Sequence, residues 1–348
     1  MIIECSHCQK KFNIQDDRLP DAKLVTFRCK NCGQKFQLDV RTGQTVDKKA
    51  NELKPGESNS AANSQTDHQA DDNGLKEKIL QGVKELPPMP QVVVKTQELM
   101  ANPNVDAKKI AEVIETDQGI AAKVLKVANS SYYGMSGKIS SISHALIVLG
   151  NSVLEEVVTL AGTEGILAGK LKGYGYDSKD LWKHSLAVAI GSKIISGQEN
   201  PDLAKEAHMA GLMHDVGKII LDTHVAERKD EIEAYMEKEE KTFLDAENRY
   251  FGFNHAEIAS EVCKKWNFPE SIASAIKHHH QPGKSNGTGL AYILHLADFI
   301  AITGGIGYDN DDYLFELEAG TMDYLKITNE AMSDMTFKVT EDVNNISV

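Results

Sequence analysis

From Leu75 onward, apolar residues recur at intervals of three and four with polar residues between them, and this pattern most constrains the fold. Only an α-helix places such residues on one face. Asp106 is positioned to cap a helix running to Glu115, with Ile110, Val113 and Ile114 on one face. Asp117 can cap the next, with Ile120, Val124 and Val127 in register. Ser143 or a neighbouring serine starts SHALIVLGNSVLEEVVTLAG, Ser178 is placed to cap DLWKHSLAVAIGSKII, and Asn254 to cap HAEIASEVCKKW. Strand signals are nearly absent here, so residues 75–348 are expected to form a mainly α, multi-helix bundle. The tail 310–348, with Met332, Met335, Val339 and Val343, is expected to add two helices packed on the body.

The first 40 residues differ. Cys5-Ser-His-Cys8 and Cys29-Lys-Asn-Cys32 are two CxxC units twenty residues apart. A two-residue gap lets both thiolates of a unit reach one tetrahedral ion, so the four cysteines fit a structural Zn2+ site. Disulfides are the alternative, disfavoured in a reducing compartment. KKFNI, LVTFRC and GQKFQL read as short strands, with Phe12, Phe27 and Phe36 as a small core. Roughly residues 1–38 resemble the finger-like zinc ribbons found at the N-termini of many bacterial proteins, within an expected four-cysteine ribbon domain at 1–40. Residues 41–74 are polar, with only alanines as apolar residues across GESNSAANSQTDHQADDNG, and read as a flexible linker.

The chain of 348 residues carries a formal net charge of -13, which argues against broad nucleic-acid binding and against anionic membrane surfaces. Residues 1–40 hold seven Lys or Arg against five Asp or Glu, and four thiolates around zinc bring that segment near neutrality. No apolar run approaches the roughly 20 residues of a membrane span, and no signal peptide is evident. A cytoplasmic location is expected. Cys263 stands alone and reads as a small buried apolar residue.

The chemistry centres on AGLMHDVGKIIL. His214 and Asp215 are adjacent within apolar surroundings, followed by Gly217 and Lys218. Consecutive helical residues point about 100° apart, so the two share a pocket only if the helix ends there or a metal lies between them. Gly217 would let another chain or a phosphate come close. Further candidates follow the same pattern: Asp180 and His184 four residues apart, His255 opening a helix, His279 and His280 ending SIASAIKHHH, and Asp298 in ILHLADFIA. His, His-Asp, His, His-His and Asp on five helices suit Fe, Mn, Zn or Ni.

ELPPMPQVVVKTQELM, the ANSSYYG turn, ISSISHALIVLG and LMHDVGK, in this order, closely resemble HDOD domains, the HD-related output domains of the HD phosphohydrolase superfamily. The resemblance covers roughly residues 76–300. It implies an all-helical fold and a role in bacterial signalling through a protein partner, in a family where many members have no established catalytic activity. The ligand order is similar to that of the HD-GYP phosphodiesterases. By that resemblance His184, His214, Asp215 and Asp298 form a core metal site with Asp215 bridging, and His255, His279 and His280 hold a second ion. Asp180 would serve a third, and Lys218 would position phosphate. A di- or trinuclear Fe/Mn/Zn/Ni centre acting on a nucleotide or other phosphate ester is therefore the alternative function, with Asp215 and Lys218 as catalytic residues. HHHQPGKSNGTGLAY lacks the Gly-Tyr-Pro loop of those enzymes, which puts cleavage of cyclic di-GMP in doubt.

Among the remaining residues, His208 reads as packing or a buried hydrogen bond, and His144, His224 and His295 as bystanders. His278 leaves the register of the histidine pair open by one. KDEIEAYMEKEEKTFLDAENR reads as a solvated helix face.

Overall fold

Side-chain caps fix where several helices begin in the computed structural model. It describes short strands within residues 2–46, and residues 75–346 apart from 76–77, 80, 87, 103, 134–137, 286 and 308–314. The chain divides into two units, Met1–Gln65 and Thr66–Val348.

In the first unit, β1 (Ile2–Glu4) pairs antiparallel with β2 (Lys11–Asn13). A second sheet runs β3 (Leu24–Arg28), β4 (Lys35–Asp39), β5 (Gln44–Val46), with Phe27 opposite Phe36 in the β3–β4 register. β5 lies past the residue-40 boundary drawn from composition: its polar sequence carries no apolar signal, and backbone pairing to β4 places it. Cys5, Cys8, Cys29 and Cys32 lie outside the described residues, as does most of 41–74.

The second unit is helical. Its helices are α1 (Gln91–Met100), α2 (Ala107–Glu115), α3 (Gln118–Ala128) and α4 (Ile142–Leu167). Then come α5 (Asp180–Glu199), α6 (Ala204–Met213), α7 (Gly217–Glu227), α8 (Lys229–Glu239), α9 (Phe243–Phe251) and α10 (His255–Lys265). The last four are α11 (Glu270–Lys277), α12 (Gly289–Thr303), α13 (Thr321–Tyr324) and α14 (Asn329–Ile346). Asp106, Asp117 and Asn254 accept backbone N–H groups at the starts of α2, α3 and α10. Ser141, rather than Ser143, caps α4. Ser178 does not cap α5. Lys179, in the left-handed region, precedes that helix, and the Asp180 carboxylate accepts the Asp177 N–H at 2.8 Å.

Val93, Ile110, Ile114, Val124 and Leu154 bury their side chains among α1–α4. α4 is not one continuous helix. Gly150, at φ 75°, interrupts it, a conformation only glycine adopts at low cost. By length and composition α4 qualifies as a membrane span, contrary to the expectation from apolar runs; yet 61% of its most apolar window is buried inside the protein. Its inward-facing Glu155 and Glu156 pair with Lys205 of α6 and Lys193 of α5, at 2.8 and 2.6 Å. α5 runs through the centre of the rest, packed against α6, α12 and α14. The tail helix α14 buries Met335, Val339 and Val343.

Candidate metal centre

α6 stops at Met213 and α7 starts at Gly217, so His214 and Asp215 stand in a three-residue turn between two helices. Both side chains reach one place, with His214 Nε2 3.4 Å from Asp215 Oδ2. Gly217 makes this turn fit against α10: a Cβ there would lie 2.1 Å from the His255 carbonyl oxygen, so the close approach is by chain, not ligand. His279 and His280 likewise lie in the turn after α11, not in the helix. His255 is the first residue of α10, while His184 and Asp298 project from within α5 and α12.

Asp215 is at the centre. Its Oδ2 lies 3.4 Å from His214 Nε2 and 3.7 Å from His184 Nε2. Its Oδ1 faces the other way, 3.3 Å from His255 Nε2 and 4.0 Å from His279 Nε2. Asp298 Oδ1 is 3.1 Å from His184 Nε2 and 3.8 Å from His214 Nε2. His280 Nε2 is 2.8 Å from His255 Nε2. Among the described residues, ligand atoms fall into three close groups: His184, His214 and Asp215; His214, His279 and Asp298; and His255, His279 and His280. Asp180 belongs to none of them; one of its carboxylate oxygens accepts the Asp177 N–H at the start of α5.

Four imidazoles are oriented from behind. Nδ1 of His184, His214 and His279 meets the carbonyl oxygens of Ile306, Gly211 and Ile276 at 3.2, 2.8 and 2.7 Å. A carbonyl only accepts, so each Nδ1 carries a proton and each Nε2 is the atom turned inward. His255 Nδ1 meets Glu247 at 2.7 Å. Glu247 is 0% exposed and also accepts the His255 backbone N–H and the Tyr174 hydroxyl. The solvated-face reading of the acidic run fails at this residue. Phe243, Glu247 and Phe251, at i, i+4 and i+8, form the buried face of α9, and that spacing is the signal that could have found it. His295, read as a bystander, donates from Nδ1 to the His279 carbonyl and accepts the Glu318 N–H on Nε2, which fixes the backbone of the histidine turn.

Lys218 is buried, 2.9 Å from Asp215 Oδ2, and donates to the Tyr176 hydroxyl at 3.2 Å. Burial would raise both central carboxyls, but the cations and imidazoles around them outweigh it. Asp215 is held well below the usual carboxylate range by His214 and Lys218, and Asp298 comes to about 2 through His184 and His214. Burial and the neighbouring His214 lower His279 to about 3, while burial and His279 push His280 well down. Burial opposes charge on His184 too, but Asp298 and Asp215 raise it to about 9.

The donor set fits a cation. His214 Nε2 and His279 Nε2 are buried with no hydrogen-bond partner among the described residues, although both face the Asp215 carboxylate. Leaving such groups unpaired is costly, and a divalent ion satisfies them together. A cavity of about 230 Å³ leads to the cluster, with Asp215, Lys218, His255, His280 and Asp298 on its polar side and Phe243 and Phe315 on its apolar side.

The HDOD domain family matches residues 86–282, more than half of the chain, and the zinc-ribbon domain family matches residues 1–37. An HDOD domain protein of unknown function from Geobacter sulfurreducens superposes with a TM-score of 0.67 at 23% identity, over 80% of this chain and 99% of that one. A protein described as a candidate phosphohydrolase, from Shewanella amazonensis, superposes at 0.62 and 22% identity, over 78% and 98%. These likenesses establish the fold. Among curated relatives, an uncharacterized protein of Treponema pallidum is 22% identical over 209 residues, 59% of this chain and 40% of the relative. Ribonuclease Y of Thermus thermophilus is 27% identical over 173 residues, 47% of this chain and 25% of the enzyme. The chain thus matches less than half the length of either curated relative. The family match, the helical architecture and the superpositions agree: this chain belongs to the HDOD family and carries a zinc-ribbon domain ahead of its HDOD domain.

Proposed function

We propose that the helical unit holds two divalent first-row metal ions and hydrolyses a phosphate ester, within a bacterial signalling protein of the cytoplasm. One observation carries this reading: the two oxygens of Asp215 face two different histidine sets. His184, His214 and Asp298 would hold one ion and His255, His279 and His280 the other, with Asp215 placed to serve both. Asp180 is left out, since it belongs to none of the donor groups among the described residues. Bound divalent ions supply Lewis acidity, which acidifies water and offsets charge on phosphoryl oxygens. The protein supplies the rest. Carbonyls and Glu247 fix the imidazole tautomers. Lys218 places a cation at the cavity wall for a phosphoryl oxygen. Phe243 and Phe315 offer apolar surface to the organic part of the ester. The names ribonuclease Y and phosphohydrolase among the relatives support phosphate-ester chemistry. In the zinc ribbon, Cys5, Cys8, Cys29 and Cys32 would bind one Zn2+.

Elemental analysis of the full-length chain, purified without oxygen, tests this. Two Fe, Mn, Zn or Ni ions beyond the ribbon's zinc are expected, and Asp215→Ala should remove them together with hydrolysis of bis(4-nitrophenyl) phosphate. Unchanged metal content or surviving turnover in that variant would sink the assignment.

A second reading, a module that engages a signalling partner protein, has its own support. Ile147 on α4 is 79% exposed, and a protein of Marinobacter aquaeolei described as a candidate signal transduction protein shares the fold at a TM-score of 0.60. Partner capture that needs the ribbon and residues 76–150, yet ignores Asp215→Ala, would favour it.

A further inference from the structure

We propose that a second pocket, beside the candidate metal centre, is a phosphate subsite. The substrate would then be a short 5′-phosphorylated oligonucleotide whose terminal phosphate sits one nucleotide away from the bond being cleaved. This assignment rests on the hydrolytic reading of the adjoining cavity. The second pocket has a volume of about 130 Å³, and Leu244 and His280 line it and the metal cavity alike, so one extended ligand can occupy both.

The two pockets differ in charge. The wall of the metal cavity carries Asp215, Asp245, Asp298 and Glu316 against Lys218. With cations bound at the cluster it takes one phosphoryl group, but its rim repels a second. The neighbouring pocket is lined by Lys277 and Lys284, with Glu257 as its one carboxylate, and by the uncharged polar groups of Asn248, Asn254 and Gln281. Among the described residues, neither lysine ammonium has an ion-pair partner. In a chain of net charge -13, two unpaired ammoniums beside a phosphoesterase cavity select where a further anion lies.

The backbone behind these lysines is fixed. Lys277 ends α11. Lys284 sits on the 3-10 turn Pro282–Ser285, where the Gly283 N–H donates to Glu318 at 3.1 Å and the Ser285 hydroxyl donates to the Pro282 carbonyl at 2.6 Å. The Glu318 carboxylate is thereby engaged with backbone, not with Lys284. On the far wall, the Asn254 amide donates to Asn248 at 3.2 Å, joining the start of α10 to α9. The pocket is thus framed by α9, α10 and the segment after α11, the same elements that carry Glu247, His255 and the histidine pair.

The test compares two dinucleotides with the same scissile bond, diadenylate with and without a 5′-phosphate, on the full-length metal-loaded protein. The phosphorylated form should be preferred on the order of tenfold or more through a lower KM, as charge-assisted contacts provide. The preference should shrink as salt rises. In the double variant Lys277→Gln/Lys284→Gln the ratio between the two substrates should fall to about one, with metal content and circular dichroism unchanged. An absent preference in the wild type, or a ratio that survives the double variant, overturns the subsite. If the wild type cleaves neither dinucleotide, the hydrolytic reading fails for this substrate class, and calorimetric binding decides the subsite alone. Tighter binding of the phosphorylated form, lost in the double variant, supports it; equal binding of both forms overturns it.

Discussion

The two halves of the helical unit bury similar apolar residues and opposite kinds of polar group. In α1–α4 the core is Val93, Ile110, Ile114, Val124 and Leu154, and the two buried glutamates are each neutralised by a lysine from the other half. Between α5 and α12 the protein buries His184, His214, Asp215, Lys218, Glu247, His255, His279 and Asp298 in one cluster, with Nε2 of His214 and of His279 left without a hydrogen-bond partner among the described residues. Burying polar groups without partners costs on the order of 1–3 kcal/mol each. A core of marginal stability keeps such a set where a ligand compensates it. The first half therefore reads as support and the second as the working part.

The largest effect separates them outright. Asp215→Ala should empty the metal centre and abolish hydrolysis, whereas Ile114→Ala should leave metal per folded chain unchanged. The same Ile114→Ala should destabilise the fold by about 2–5 kcal/mol in denaturant titration. Loss of metal from this core variant would show that the halves are not separable. Glu247→Gln sharpens the contrast within the second half: removing the carboxylate behind His255 should weaken metal affinity about 10–100-fold in chelator competition, with the fold retained. An unchanged affinity would mean that the His255 orientation is set by other contacts.

The smallest effect is a pH dependence at His208, in α6. Burial holds its pKa below the usual histidine value. The folded state therefore binds this proton less readily than the unfolded chain. Its contribution is fully present above pH ~6.5 and is lost as pH falls from there toward the folded value, at up to about 1.4 kcal/mol per pH unit. Urea midpoints at pH 7, 6 and 5 should fall less steeply for His208→Leu than for the wild type; parallel curves would show that this imidazole does not titrate on unfolding.

Much of this was legible in the chain. Apolar periodicity marked the helical unit, and Asp106, Asp117 and Asn254 cap as their positions suggested. Ser178 failed as a cap because the chain enters α5 through a left-handed Lys179, a tertiary turn that no local propensity announces. Glu247 was hidden in an acidic run whose average composition reads as solvated, although its spacing from Phe243 and Phe251 placed it on the buried face.

The sequence alone determined the ingredients: periodic apolar faces, since helix geometry converts spacing into a side, and an ordered set of histidines and aspartates, since residue type sets ligand chemistry. Only the tertiary structure decided their use. It ends α6 before His214, turns the chain at His279 and His280, and presses Gly217 against α10, so that residues up to 114 positions apart meet in one cluster. It also leaves Asp180 outside the donor groups found among the described residues. Which nitrogen faces inward depends on the carbonyl behind each ring, and that partner comes from the three-dimensional path of the backbone, not from neighbouring letters in the chain.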